Sequence, residues 1–459
     1  MSNLPIEVDS ETSRIRAALV NSGRNSFSEA EEKLLSSRLV LKIGSDAACT
    51  PAGQAALLTA AVTGTRCFGD VSVLGTLNRP LLLPLPIAAK TLAEAVGHFG
   101  AHVADDRASG RTVLIGPGIE EEKDWSVRAF WNGWVAGTAP GRNTLAVGKS
   151  DCPLAGAAAG ALAVGQAFLA EQVDHRAGRS IQQLSLWGPE LGEQAACSPG
   201  TSLDEVYLPT ALWLVGLGNL GQAYLWALTL LPYPRPEDVL LFFQDDQKVG
   251  KENWGTSVLV QRGRYGVLKT RIAEEWATMR GFEVRRVDRR MSEQQTRSDR
   301  EPGILLAGLD RMPARRMLGR CGFDYIIDAG LGVTAADYRK IRINVFDASG
   351  DPAEHFQDVE DQTGQVVEEL MKLPTYQELA RSLGDGGCGA ATLAETRVAV
   401  PFVSAIAGAL AVTQAIRLAS GYAHHIGITG DIGDLRSIRA YLGPKPTRVI
   451  VPNAPGYPE

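Results

Sequence analysis

The chain has 459 residues, 45% of them hydrophobic, which is enough for two domains of about two hundred residues, each with its own core. A formal net charge of −6 and the lack of a basic stripe argue against nucleic acid as the main partner. Six scattered cysteines without a Cys-x-x-Cys pair argue against a structural zinc site and favour a reduced, intracellular compartment.

The first half of the chain has predicted strands but no phosphate-binding turn. Leu39–Gly44 reads as a strand, and residues 45–50 after it contain no Gly-x-Gly-x-x-Gly pattern. No set of Asp, Asn and Lys follows before Pro80. A second strand is predicted at Thr112–Gly118, and the next at Trp134–Gly141. This half therefore has the strands of a nucleotide-binding domain without its chemistry.

An Ala- and Gly-rich segment that begins at Pro153 approaches the length of a membrane span. Gln166 and the repeated small residues favour a helix packed within the protein over one in lipid. Residues 182–209 are rich in Gly, Pro, Ser and Glu, which predicts a linker between two halves.

The second half begins with the pattern of a βαβ nucleotide-binding unit. Trp213–Val215 reads as a buried strand, and Gln222–Leu231 reads as the helix that follows. Between them, Gly216, Gly218 and Gly221 form a turn that would point the first amides of the helix at a phosphate. NAD, FAD and SAM proteins share this turn, and such glycines can also serve only close packing of helix on strand.

Polar residues after the next strand narrow the choice of nucleotide. The strand Val239–Phe243 leads to Asp245, whose carboxylate can accept hydrogen bonds from a ribose. Asn253 and Lys269 follow, and an oxidoreductase does not require them. A fixed ammonium near a triphosphate offsets the charge that builds up when the α-phosphate is attacked, so this set favours ATP. The alternative is a loop asparagine and a solvated lysine at a helix start.

Another buried strand, Ile304–Leu309, ends at Asp310, with Arg315 after it and a further strand at Tyr325–Gly330. An acid at the carboxyl end of a parallel strand lies on the ligand side of the sheet. Asp310 is therefore a candidate Mg²⁺ ligand, because oxygen donors and substrate phosphates make up most magnesium sites. A helix N-cap is the alternative role, and it is compatible with metal binding.

The chain also contains a partial internal repeat. Residues 153–167 align without gaps to residues 401–415, and most positions are identical, including the proline, leucine, valine and glutamine. Self-similarity of this kind predicts a duplicated unit.

From about Leu212 to Ser420 these residues resemble the ThiF-like adenylyltransferases, which include ubiquitin-activating enzymes and activators of sulfur-carrier proteins. The resemblance implies an α/β fold of two tandem Rossmann-like adenylation domains related by a pseudo-twofold axis, with the first half degenerate. It further implies that Asp310 holds Mg²⁺. The residues implied to bind MgATP are Gly216, Gly218, Gly221, Asp245, Asn253, Lys269 and Asp310.

The chain departs from the family at two positions. Thr256 stands where the family usually has an arginine, and Arg311 stands where it has an asparagine. Either the missing positive charge comes from Arg262, Arg264 or another segment, or phosphate binding is weaker than is usual in the family. In the family an arginine of the N-terminal segment also reaches the ATP phosphates, and the candidates here are Arg14, Arg16 and Arg24.

Cys388 lies among glycines before the apolar helix that begins at Pro401, and glycines on both sides expose a thiol and let a substrate approach it. In ubiquitin-activating enzymes the thioester-forming cysteine belongs to the corresponding crossover, here about residues 350–400, which implies that role for Cys388. The alternative is a free cysteine in a flexible linker. Cys197 is the next candidate nucleophile.

The resemblance implies a domain organisation and a two-step reaction. We expect an inactive domain at 1–181, a linker at 182–209 and an active domain at 210–459. A ubiquitin-like protein would be adenylated at its C-terminal glycine, captured as a thioester on Cys388 and passed to a conjugating enzyme. Because no secretion signal is apparent, we expect a cytoplasmic protein without a membrane partner.

The compact form looks like the activating enzymes of bacterial ubiquitin-like conjugation operons, some of them linked to antiviral defence. Two alternatives stay open. The first is a sulfur-carrier-protein adenylyltransferase without a thioester step, although such proteins often carry the paired Cys-x-x-Cys ligands that this chain lacks. The second is a nicotinamide- or flavin-dependent oxidoreductase in which Asp245 binds ribose and Lys269 is incidental.

Overall fold

The computed structural model has two α/β halves, each built around one sheet. In each sheet five parallel strands are followed by antiparallel strands at one side. The predicted fold class, α/β with two Rossmann-like halves, is confirmed. The structure describes residues 10–20, 26–105, 107–120, 124–143, 151–197, 200–332, 337–347, 350–357, 363–384, 386–395 and 398–446.

The first sheet has seven strands in the order β3-β2-β1-β4-β5-β6-β7. Its strands are β1 (Arg38–Ile43), β2 (Asp70–Gly75), β3 (His102–Val103), β4 (Arg111–Ile115), β5 (Ser126–Asn132), β6 (Val135–Pro140) and β7 (Gln182–Ser185). The helices of this half are α1 (Ser13–Leu19), α2 (Phe27–Ser36), α3 (Ser45–Ala48), α4 (Pro51–Cys67), α5 (Leu92–His98) and α6 (Pro153–Glu171).

The second sheet has eight strands in the order β10-β9-β8-β11-β12-β13-β14-β15. Its strands are β8 (Ala211–Val215), β9 (Leu240–Gln244), β10 (Glu283–Val287), β11 (Ile304–Ala307), β12 (Tyr325–Leu331), β13 (Lys340–Phe346), β14 (His425–Asp431) and β15 (Asp434–Leu442). Its helices are α7 (Asn219–Leu230), α8 (Glu252–Thr256), α9 (Lys269–Arg280), α10 (Met312–Arg316), α11 (Pro352–His355), α12 (Thr363–Met371), α13 (Pro374–Leu383), α14 (Cys388–Glu395) and α15 (Pro401–Ala419).

The two sheets share one strand order through their first seven strands, which is what the internal repeat predicts. The repeated segments form α6 and α15, each 19 residues long and each beginning at its proline. Equivalent glutamines also make equivalent bonds. Gln166 Oε1 accepts from the Gly178 N–H at 2.8 Å, and Gln414 Oε1 accepts from the His425 N–H at 2.9 Å.

Two segments differ from the sequence prediction. Trp134–Gly141 was predicted as the strand that follows Thr112–Gly118, but this was wrong by one strand: β5 follows β4 and pairs with it, and Trp134–Gly141 contains the antiparallel β6. Residues 182–185, at the start of the predicted linker, form β7 because their backbone pairs with β6. The Gln182 side chain bonds across to Gly433 and Leu435 of the other half.

Aromatic and small side chains join the halves. Phe168 of α6 packs against Phe402 of α15 with ring centroids 5.6 Å apart. Trp226 of α7 donates to Thr59 Oγ1 of α4 at 3.0 Å and contacts Phe99. Both α6 and α15 are long and apolar enough to cross a membrane, but both are buried inside the protein. This confirms the packed helix that we predicted for the segment that begins at Pro153.

Candidate active site

A cavity of about 710 Å³ lies at the carboxyl ends of β8, β9 and β11 in the second half. Parallel strands place their ligand-binding residues at this edge of a sheet. Six of the eight predicted site residues line it, and Gly221 and Cys388 do not. The six are Gly216, Gly218, Asp245, Asn253, Lys269 and Asp310.

The glycine turn is built by backbone geometry. Gly216 has φ of +78°, a left-handed conformation that favours glycine, and its N–H donates to Gln244 O at 3.0 Å. A Cβ on Gly221 would overlap with the Gly216 carbonyl oxygen, so this glycine serves close approach of helix to turn rather than ligand contact. A Cβ on Gly218 would meet open space. The turn therefore places the first residues of α7, Asn219 and Leu220, at the cavity.

Asn219 is a cavity residue that sequence reasoning missed. It is the first residue of α7 and lines the cavity. Its Oδ1 and Nδ2 are both buried, and neither has a hydrogen-bond partner in the part of the chain that the structure describes. Buried polar atoms are rarely left unpaired, so this amide is suited to a ligand. Its position inside the glycine pattern was the available signal.

The carboxylate of Asp245, just after β9, holds the glycine turn by a hydrogen bond. One carboxylate oxygen accepts from the Leu217 N–H at 2.7 Å, and the other accepts from the Gln247 N–H at 2.7 Å. The side chain is 9% exposed. Each oxygen has a second lone pair, so the carboxylate can hold the turn and still accept from a ligand hydroxyl.

Lys269 is the first residue of α9 and is only 8% exposed, so the alternative of a solvated helix-start lysine was wrong. Its ammonium donates to Gln247 Oε1 at 2.7 Å. Asn253 Oδ1 accepts from the Gly250 N–H at 2.8 Å and so shapes its own loop, while the residue also lines the cavity. A buried ammonium beside a polar cavity is a site for an anionic group.

Basic side chains outnumber acidic ones around the cavity by seven to four, which gives a net charge of +3 and favours a polyanion. The acids are Asp245, Asp246, Glu252 and Asp310. The bases are Arg14, Lys248, Lys269, Arg289, Arg290, Arg311 and Arg315.

The two arginines named as substitutes for the one missing at Thr256 do not line this cavity. Arg262 pairs with Glu11 at 2.8 Å, and Arg264 pairs with Glu275 at 2.5 Å. The expectation that Arg262 or Arg264 replaces the missing arginine was therefore wrong. The arginines that line the cavity belong to other segments of the chain.

Of the N-terminal candidates, Arg14 lines the cavity and Arg16 is buried in an ion pair with Glu31 at 2.9 Å. Arg24 lies outside the described residues. The segment before α1 is fixed against the loop between α8 and α9, since Glu11 accepts hydrogen bonds from Arg262 and from the Tyr265 hydroxyl. This contact, made in the folded chain, is what brings Arg14 to the cavity.

A buried ion pair fixes the loop that bears Asp310. Arg315 bonds Asp328 at 3.3 Å, Leu309 O at 2.9 Å and Ala329 O at 3.0 Å. Burial raises the pKa of the Asp328 carboxyl to about 6, and the Arg315 charge opposes that rise. Asp310 itself is exposed and lines the cavity. Sequence reasoning noticed Arg315 but missed Asp328, which looks like an ordinary strand residue.

Cys388 is exposed and is the first residue of α14, so it lies on a helix rather than in an irregular linker. It does not line the cavity, although Val398 and Ala399, shortly after α14, do. Gly386 and Gly387 before it have φ of +71° and +89°. The side chain of Cys197, the next candidate, lies outside the described part of the chain.

The first half differs at the corresponding place. Gly44 follows β1 as Gly216 follows β8, but its φ is −70° and the four-residue α3 comes directly after it. Arg128 of β5 is buried and donates to the carbonyl oxygens of Gly116, Ile119 and Gly141. In the first half an arginine thus binds the loop after β4, whereas in the second half the loop after β11 lines the 710 Å³ cavity.

Comparison with known proteins gives two family matches. Residues 38–186 match the BilD N-terminal domain, and residues 208–422 match the BilD C-terminal domain. Over 431 residues the chain is 35% identical to the bacterial E1-like protein BilD of Collimonas sp. (strain OK412), which covers 91% of each chain.

Among solved structures, the chain resembles E. coli MccB. The MccB structure with succinimide has a TM-score of 0.35 at 13% identity, over 52% of this chain and 64% of that chain. The match therefore spans less than two thirds of the MccB chain. The MccB structure with ATP has a TM-score of 0.35 at 13% identity, over 53% and 66%.

Proposed function

Since the chain belongs to the BilD family of bacterial E1-like proteins, we propose that it is an adenylyltransferase that uses ATP to activate the C-terminal glycine of a ubiquitin-like protein. The observation that carries the proposal is the basic cavity, in which a glycine turn, the first residues of α7 and the buried Lys269 meet. Helix N-termini and fixed cations bind phosphate groups.

The cavity residues divide into roles by their chemistry. The turn at Gly216 and Gly218 and the amide of Asn219 suit the phosphates, and Asp245 suits the ribose hydroxyls. Lys269 and Arg14 would offset charge on the α-phosphate as the adenylate forms. Arg289, Arg290 and Arg311 are exposed cavity residues that can take the role of the family arginine absent at Thr256.

The donor set fits magnesium held largely by its substrate. No group of three or more His, Cys, Asp and Glu able to hold a metal occurs among the described residues. Mg²⁺ usually takes one or two protein carboxylates together with phosphates and water, and Asp310 is the exposed carboxylate that suits this. Bound there, the ion would neutralise phosphate charge.

In the first step, a carboxylate oxygen of the terminal glycine attacks the α-phosphorus of ATP. The bond between the α-phosphorus and the bridging oxygen breaks, pyrophosphate leaves, and an acyl adenylate forms. In the second step, the Cys388 thiolate attacks the acyl carbonyl and AMP leaves with the electron pair of the broken bond, which gives a thioester. A conjugating enzyme then receives the acyl group by exchange of one thioester for another.

The two steps make different demands on the fold. Adenylation uses only groups that line the cavity, whereas Cys388 does not line it. The second step therefore requires α14, which begins with Cys388, to approach the adenylate. Gly384, Gly386 and Gly387, all with positive φ, lie between α13 and α14 and are the positions at which α14 can turn relative to α13. We place the reaction in a cytoplasmic, bacterial ubiquitin-like conjugation pathway with a role in antiviral defence.

The test is exchange of labelled pyrophosphate into ATP, with and without a candidate ubiquitin-like protein encoded beside the gene. We expect exchange that depends on this protein and on Mg²⁺, and calorimetric titration with one ATP site per chain. Stabilisation by NAD and not by MgATP in a thermal-shift assay would overturn the proposal in favour of an oxidoreductase. Pyrophosphate exchange without any thiol-reducible adduct would favour a sulfur-carrier-protein adenylyltransferase, which has no thioester step.

A further inference from the structure

A second cavity, of about 300 Å³, lies between the two halves and is lined by different residues from the first. The carboxyl end of α4, the start of β2 and the segment after α8 enclose it. Its apolar wall is formed by Leu34, Leu35, Phe68, Phe99, Trp254 and Trp276. Apolar walls with a few polar groups are typical of sites for small organic molecules.

Arg66 is the buried arginine that lines this second cavity. It is only 7% exposed, its guanidinium stacks over Trp254 at 4.3 Å, and it donates to Val260 O at 2.9 Å. The Nε atom is buried with no hydrogen-bond partner. Within the described ranges, no carboxylate lies at ion-pair distance from Arg66. A buried guanidinium nitrogen without a partner is costly, and an anion would relieve that cost.

A second arginine increases the positive charge. Arg262 stacks on the same indole at 4.0 Å and is paired with Glu11. Burial, followed by the charge of Arg262, lowers the pKa of Arg66 to about 10. Both effects disfavour the charged form of Arg66, and the negative charge of an anion in the cavity would oppose them.

Two other titratable groups face this cavity. Asp70 is partly exposed, and its Oδ1 lies 3.5 Å from Nδ1 of His102, so the carboxylate also interacts with that ring. Burial lowers the pKa of His98, which leaves the imidazole neutral at pH 7. The two arginines and one aspartate that line the cavity sum to +1 at neutral pH, and Glu11, which does not line it, pairs with Arg262 and offsets that charge. Arg66 is therefore the cation that an anion in the cavity would meet.

From these contacts we propose that the second cavity binds a small organic carboxylate, with its carboxylate on Arg66 and an apolar body against Phe68, Phe99 and Trp276. The five-residue α8 separates this ligand from the first cavity. Trp254 of α8 lines the second cavity, while Asn253 and Thr256 of α8 line the first. The ligand would therefore act as an effector of whatever binds in the first cavity.

The test titrates 3-phenylpropionate into the full-length chain and follows tryptophan fluorescence, since Trp254 and Trp276 line the cavity. The uncharged 3-phenylpropanamide is the matched control. We expect saturable binding of the carboxylate and binding of the amide weaker by about tenfold or more. Equal binding of both compounds, or no saturable binding of the carboxylate, would overturn the proposal. Neither titration contains nucleotide, so the result is independent of the proposed adenylation.

Variants locate the site on the same chain. Arg66→Gln should weaken carboxylate binding by about tenfold, and Arg66→Lys should retain part of it. Asp70→Asn should tighten binding because it removes a like charge from the wall. Arg107→Gln, at a side chain that is 93% exposed, should change nothing. Wild-type affinity in both Arg66→Gln and Asp70→Asn would show that the probe binds elsewhere.

A calorimetric titration of ATP with and without saturating 3-phenylpropionate tests the effector role. We expect the Kd for ATP to change by about threefold or more. An unchanged Kd beside saturable probe binding would overturn the effector role, and absence of any ATP binding would instead count against the proposed function.

Discussion

Gly160 and Gly408 occupy equivalent positions in α6 and α15, and each lies directly against the backbone of the neighbouring helix in its own half. A Cβ on Gly160 would overlap with the Ala56 carbonyl oxygen of α4, and a Cβ on Gly408 would lie 2.8 Å from the Ala223 carbonyl oxygen of α7. The close approach of two helices is thus repeated in both halves at the position where the sequence repeat aligns the two glycines.

The first prediction is that Gly160→Ala and Gly408→Ala each lower the free energy of unfolding by about 1–3 kcal/mol, because the added methyl group forces two packed helices apart. Urea denaturation monitored by circular dichroism measures the loss. The matched control is Gly97→Ala in α5, where a Cβ would meet nothing within 4 Å. Equal midpoints for Gly97→Ala and Gly408→Ala would contradict the packing argument.

Much of the fold follows from local patterns. Buried strands such as β8 and β11 are continuous apolar runs next to turn residues, and the repeat identifies α6 and α15 as equivalent. β7 could not be predicted because its polar residues Gln182 and Gln183 owe their strand conformation to pairing with β6. The crossover forms α11–α14. Its sequence suggested one polar helix-like stretch, Thr375–Ser382, which corresponds to α13, and the other short helices were not predicted.

The site was predictable where spacing along the chain fixes position. Asp245 and Asp310 follow strands of the same sheet, so their meeting at one edge is a consequence of topology. The choice of Arg14 among the N-terminal arginines was not predictable, because it depends on the ion pair between Glu11 and Arg262, which are 251 residues apart. Asp328 was missed because only the folded sheet brings Arg315 to it.

The second prediction separates the metal ligand from the ammonium. Asp310→Ala should abolish modifier-dependent pyrophosphate exchange, because it removes the carboxylate that we propose holds Mg²⁺. Lys269→Gln should lower the exchange rate by about 10²–10³, as expected when a fixed donor to a transition-state charge is lost. Lys340→Ala, at an exposed lysine of β13, serves as the control. Normal exchange in Asp310→Ala would mean that magnesium is held elsewhere.

The third prediction concerns the N-terminal segment. Arg14→Ala should raise the Kd for ATP about tenfold, which corresponds to loss of one charge-assisted hydrogen bond. Arg264→Ala should leave the Kd unchanged, because that arginine pairs with Glu275 and does not line the cavity. Isothermal titration calorimetry measures both. A larger loss in Arg264→Ala than in Arg14→Ala would reverse the assignment.

The fourth prediction is a pH dependence of stability from Asp328. Its pKa is raised from 3.8 to about 6 in the folded chain, so between these values the folded state holds a proton that the unfolded state has released. This contribution to stability is complete below pH 3.8 and is lost as pH rises through 6. It amounts to about 2–3 kcal/mol. Asp328→Asn should remove this fall in stability, which is measured as the urea midpoint at several pH values between 4 and 7. The same dependence of the midpoint on pH in the wild-type protein and in Asp328→Asn would contradict the prediction.

The last prediction divides activation of the modifier from its covalent capture. Adenylation needs only the cavity, whereas thioester formation also needs an accessible thiol, and Cys388 is exposed at the start of α14 but lies outside the cavity. Cys388→Ala should therefore keep full pyrophosphate exchange and lose the thiol-reducible adduct with the modifier on a non-reducing gel. Cys49→Ala removes another exposed thiol, in the first half, and should retain both activities. An adduct that persists in Cys388→Ala would assign the nucleophile to another cysteine, and Cys197→Ala would then be the variant that loses it.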